Sequence, residues 1–272
     1  MLFKPTILAL MVVLLSASQA QADRTQVGID FRYGNININN PLIDFLIGDD
    51  DISLIGLDVY AHTEISPGLR IGGRIPIAHG RFDGDSETTL GNLSLELFYD
   101  LRANSWLETG VSFPTADDEG RSASVASTFA TFWIPDPGLY APDTTTFRLM
   151  YNHRWNLRPS TARKNGIAFE VAAGVQFLSV DGAEDRLRVP LQLTGSIGLS
   201  GQTEAVGRFG TYWISGADDG EDDFLNVLEA GLRIGNIGRG QLELLLYLPA
   251  DETYRDQFEA WGITLGFLSG TT

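Results

Sequence analysis

Three histidines, His62, His79 and His153, are the only side chains in this 272-residue sequence whose ordinary titration lies near neutrality, and there is no cysteine. A hydrolase built on one of them needs a serine or an acid within reach of the imidazole. His79 is the one candidate base, because Asp83 and Asp85 follow it. A lone histidine beside loop acids is more often an ordinary surface residue. His153 alternates with Tyr151 and Trp155, and His62 precedes the turn-like Ser66-Pro67-Gly68. There is no nucleophile elbow, no Gly-rich phosphate loop after a strand, no histidine cluster at zinc spacing and no calcium-loop spacing. The sequence therefore predicts no catalytic residue, no cofactor and no metal site. The lack of cysteine also excludes a thiolate nucleophile and a disulfide framework.

Arginines and acids on one face of successive strands carry more information. Candidate interior residues are Asp30 and Arg32, then Asp58, Arg74, Glu96 and Glu108. They continue with Arg148 and Arg154, then Glu170, Arg188 and Arg208, and finally Glu229, Arg233 and Glu243. If the opposite face meets lipid, a basic residue turned outward costs about 2–4 kcal/mol at the bilayer midplane. A one-residue slip would turn a whole strand's charges outward, so these charges fix the register. Inside, they either pair into a buried ladder that fills the lumen or line a narrow polar pore.

The elements that must position them are β-strands. Leu93, Leu95, Leu97, Tyr99 and Leu101 alternate with Ser94, Glu96, Phe98 and Asp100, a period of two. The same period recurs at Ile167–Phe177, Leu187–Leu193 and Leu242–Leu248. Read throughout, the pattern predicts about twelve strands of the length a tilted membrane strand needs. They lie near 26–33, 52–63, 67–78, 90–102, 104–113, 145–156, 166–179, 186–199, 203–214, 224–235, 239–248 and 257–268. Aromatic residues such as Tyr33, Tyr99, Tyr151, Trp155, Trp213 and Trp261 fall toward strand ends on the apolar face, as in an interfacial girdle. The alternative is a soluble β-sandwich, of unusual size for this many long strands.

Residues 1–22 read as a cleavable signal peptide: Lys4, an apolar run from Ile7 to Leu15, then Ala20-Gln21-Ala22 before Asp23. The run falls short of the roughly 20 residues of a membrane helix. Residues 23–272 then form one all-β domain, an antiparallel up-and-down transmembrane barrel. A net charge of −16 makes nucleic acid a poor partner. Mean hydropathy of −0.01 suits strands divided between lipid and water. Links between strands alternate short and long, as they must when both termini lie in the periplasm. The long links are acidic and the short-link end carries Arg70, Arg102, Arg158, Arg163, Lys164 and Arg239. The expected partners are outer-membrane lipid and lipopolysaccharide, and a small-molecule solute. The longest link, 114–144, holds Phe132, Trp133 and Tyr140, which are expected to constrict the barrel mouth.

Two stretches carry a family resemblance. Thr89-Leu90-Gly91-Asn92-Leu93-Ser94-Leu95 opens a strand ending Phe98-Tyr99-Asp100-Leu101-Arg102, and the next strand ends Phe113-Pro114-Thr115-Ala116-Asp117-Asp118. Residues 89–118 resemble the outer-membrane barrel family labelled as the putative MetA-pathway of phenol degradation, with Asn92, Phe113 and Ala116 where that family carries Asp, Leu and Gly. The resemblance implies a transport-type barrel for small hydrophobic or aromatic compounds. Barrel assembly machinery is a further expected partner. It often reads a terminal aromatic residue, whereas here Phe267 is followed by Leu268-Ser269-Gly270-Thr271-Thr272. Passive passage or uptake of a small solute is the leading expectation. A non-conducting structural or interaction barrel and an outer-membrane hydrolase are the alternatives.

Overall fold

The computed structural model describes residues 25–38, 52–82, 85–116, 143–158, 166–181, 185–215, 224–237, 240–251 and 258–269. The expected signal peptide and Phe132, Trp133 and Tyr140 lie outside them. The strands are β1 (Thr25–Ile38), β2 (Ile52–Ser66), β3 (Leu69–Phe82), β4 (Asp85–Leu90), β5 (Ser94–Arg102), β6 (Ser105–Ser112), β7 (Thr144–Arg158), β8 (Ile167–Val180), β9 (Arg186–Gly198), β10 (Thr203–Ile214), β11 (Phe224–Ile237), β12 (Gly240–Pro249) and β13 (Phe258–Ser269).

Every hydrogen-bonded pair of strands is antiparallel, and β1 pairs with both β2 and β13, from Val27↔Ser269 to Ile38↔Phe258. The sheet closes on itself. β3 pairs with β5 along Leu69–Arg74 and with β4 along Ile77–Phe82, so β4 and β5 together make one stave of a 12-strand barrel. Closure pairs the first stave with the last, the condition for a sheet to sit in hydrocarbon, while the short β4 pairs only with β3 among the described residues.

The stave break corrects the expectation of one strand over 90–102. Leu90 pairs with Ile77 and Ser94 with Arg74, so three residues, Gly91 to Leu93, face two on β3. This bulge reverses parity: Leu90 points out and Ser94 in. The long link expected after residue 78 is also corrected, because β3 continues to Phe82 and β4 returns from Asp85. The tight turn between β2 and β3 requires Gly68 at φ +76°.

The two faces are inverted relative to a soluble sheet. Outward Leu95 is 52% exposed and Phe147 51%, whereas inward Asp58 is 1% exposed and Glu96 2%. A β-sandwich would bury the first pair and wet the second. An apolar outer face around a charged interior is the arrangement that lipid stabilises.

Candidate functional site

Of the interior residues named from sequence, most meet on the inner wall in two ion-pair clusters. The first spans β1 to β7. Arg32 reaches Asp58 at 3.0 Å and Asp30 at 3.9 Å. Arg74 lies 3.9 Å from Asp58 and 3.2 Å from Glu96. Arg148 then joins Glu96 at 3.1 Å to Glu108 at 2.6 Å. The second cluster spans β10 to β12. Arg208 bridges Glu229 at 2.7 Å and Glu243 at 3.1 Å, and Arg233 holds Glu243 at 2.7 Å and Glu204 at 3.6 Å. Register explains the meeting: Arg208 stands opposite Glu229, and Arg233 opposite both Glu204 and Glu243. Arg154 faces Glu170 across β7 and β8, and Arg188 faces Gln176 across β8 and β9.

Desolvating such charges costs several kcal/mol per ion, offset only where partners are close and numerous. Glu96 meets that condition, with two guanidinium groups and the His62 imidazole, whose Nε2 lies 2.7 Å from Glu96 Oε2. His62 is buried in the lumen, edge-on to Phe98 at 4.6 Å between ring centres. Sequence reasoning placed it near a turn and missed this role. Its even position on β2, shared with Asp58, was the available signal.

The other histidines stay apart. His79 points outward on β3, and its Nδ1 lies 2.8 Å from Thr88 Oγ1. His153 Nδ1 lies 2.6 Å from Ser105 Oγ on the outer face, with the Trp155 ring 4.2 Å away. Among the described residues no carboxylate ion-pairs with either, and no group of three His, Asp or Glu residues is placed to hold a metal.

The arc from β7 to β10 differs. Besides the inward charges already named, its inner face carries an uncharged patch of Met150, Asn152, Ala172, Gln176, Pro190, Gln192 and Tyr212, and these line a cavity of about 90 Å³. Arg148 and Glu108 close one side, already paired with each other. The amides and Tyr212 share the strand parity of the named charges, but neutral residues gave the sequence reading no cue.

Toward the long-link end, the bulge at Gly91–Leu93 and residues Thr115 and Ala116 after β6 interlock. Asn92, fully buried in the bulge, accepts at Oδ1 from the amides of Thr115 (2.9 Å) and Ala116 (2.8 Å). Its Nδ2 donates to the Thr144 carbonyl at 3.1 Å. Thr115 Oγ1 in turn accepts from the Leu93 amide and donates to the Gly91 carbonyl.

No protein-family model matches the chain, and no curated protein matches it in sequence. Solved structures share its fold. The COG4313 outer membrane channel from Pseudomonas putida F1 superposes at TM-score 0.58 and 12% identity, over 90% of this chain and 95% of that one. The NanC porin gives 0.53 and 8%, over 90% and 100%. The translocator domain of the autotransporter NalP from Neisseria meningitidis gives 0.51 and 10%, over 96% and 95%. At such identities the likeness is one of fold, the closed outer-membrane type of β-barrel.

Proposed function

We propose that this chain is an outer-membrane barrel for passive passage or uptake of small solutes, hydrophobic or aromatic ones among them. The observation that carries the reading is the division of the inner wall. Ion pairs gather in two clusters, and between them, although Arg154, Glu170 and Arg188 also lie on the β7–β10 wall, one patch of that wall is uncharged, mixed polar and apolar, and hollowed. A ladder whose only role was to fill the interior would have no need of a hollow, uncharged patch. The channel and porin among the structures of like fold agree with it, and the resemblance at residues 89–118 points the same way. The acidic long links and basic short-link end match an orientation with both termini in the periplasm.

A second reading, a non-conducting barrel, is favoured by one feature: Glu96, Arg148 and Glu108 tie three inner strands together as a filled ladder would. Liposome swelling separates the two. Proteoliposomes diluted into iso-osmotic solutions of small neutral solutes should swell faster than protein-free vesicles, with the rate falling as solute size rises. Swelling equal to protein-free vesicles for every solute supports the non-conducting barrel. Enzymatic function has less support, since His79 and His153 face outward and His62 is enclosed by charged and aromatic neighbours.

A further inference from the structure

We propose that the hollow between β7 and β10 is a solute-binding site for a small uncharged molecule with an apolar body and a hydrogen-bond-accepting head. The inference deepens the passage reading and rests on it for its biological sense, although binding can be measured without conduction.

Four observations converge. The first is the space, about 90 Å³ on the inner face. This exceeds the volume that one water occupies, and is below that of an engineered apolar cavity known to accept benzene, so it suits a compact solute. The second is an unused donor. Asn152 is only 6% exposed, and its buried Nδ2 has no hydrogen-bond partner among the described residues. A buried donor without a partner is costly, so an acceptor arriving there gains a full hydrogen bond. The third is the opposing surface. Met150, Ala172, Pro190 and the buried Tyr212 ring offer apolar contact beside the amides, the mixture typical of small-molecule sites.

The fourth is charge. The one lining cation, Arg148, is held by the lining anion Glu108 at 2.6 Å and by Glu96 at 3.1 Å. Neither a carboxylate nor an ammonium solute would find a free counter-charge there, and burying a charge unpaired is strongly unfavourable. The site therefore discriminates by charge with its two lining charges already paired to each other.

Met150 provides a local reporter. The sequence holds three methionines, Met1, Met11 and Met150, and Met150, the only one among the described residues, lines the cavity. Protein labelled with ¹³C at methionine methyls, folded in detergent micelles, should give a Met150 signal that Met150→Leu assigns by its loss. Three probes of similar length separate the possibilities: propionamide, propionate and propylammonium. Propionamide should shift the Met150 signal saturably, at least about fivefold tighter than either charged analogue, as expected where burial penalises charge. Ala172→Phe, which fills the hollow, and Asn152→Leu, which removes the donor at similar size, should each abolish that saturation. Arg233→Gln, in the other cluster, should leave it intact. Folding of each variant is checked by its electrophoretic shift on heating. Tighter binding of either ion, no saturable shift with propionamide, or full binding by folded Ala172→Phe overturns the proposal. Saturable binding without solute passage would instead retain the site and overturn the transport reading.

Discussion

Asn92 Nδ2 donates to the backbone oxygen of Thr144 at 3.1 Å, while the same side chain accepts the amides of Thr115 and Ala116. One buried residue thus ties the stave break to both ends of the 114–144 connection. Asn92→Ala should destabilise the barrel by about 1–3 kcal/mol, because buried partners lose their bonds. Hydrogen exchange at the Thr115 and Ala116 amides should quicken. Asn92→Asp keeps the acceptor and loses the donor. It should protect those two amides while still weakening the Thr144 contact. Equal exchange in all three proteins would remove the proposed anchor.

Glu96 gathers Arg74, Arg148 and His62. Glu96→Gln leaves two interior cations short of a partner, and breaking a buried pair costs about 3–5 kcal/mol. The urea midpoint for unfolding from lipid vesicles should fall accordingly. A midpoint within error of the wild type would mean that water already screens this cluster.

Gly72 faces the His62 ring so closely that an added Cβ would collide with it and with the Ala61 carbonyl. Gly72→Ala should therefore cost about 1–3 kcal/mol, the usual penalty of overpacking. His62→Ser in the same chain should recover part of that loss, and a double-mutant cycle measures how much. Strict additivity would show that the two residues do not compete for space.

The outer face supplies an independent check. Leu95→Arg places a guanidinium on the lipid side of β5, at a cost of about 2–4 kcal/mol if the position lies near the midplane. Glu96→Arg, one residue along, changes the lumen instead. Folding into vesicles of matched thickness should be impaired for Leu95→Arg, and Leu95→Val should fold nearly as wild type. Unimpaired folding of Leu95→Arg would contradict the orientation of β5.

The alternation of leucines with Ser94, Glu96 and Asp100 made the facing of β5 legible, because a two-residue period maps directly onto two faces. The interior candidates were read by that logic, and the ion pairs of Arg208 with Glu229 and of Arg233 with Glu204 and Glu243 follow from direct register. Three features were not legible. The bulge at Gly91–Leu93 reads as continuous strand, since the extra residue shows only against β3. The His62–Glu96 contact joins residues 34 apart on strands separated by another. The hollow beside Ala172 depends on what five strands leave unfilled, and no single strand's pattern records a gap.

Single-channel recording tests passage most directly. Purified protein added to planar lipid bilayers should produce discrete, reproducible current steps. Their reversal potential in a salt gradient should shift toward cation preference in Arg208→Gln, which leaves Glu229 and Glu243 without that cation. Folded protein that inserts into the bilayer yet gives no steps above a protein-free control would contradict the account.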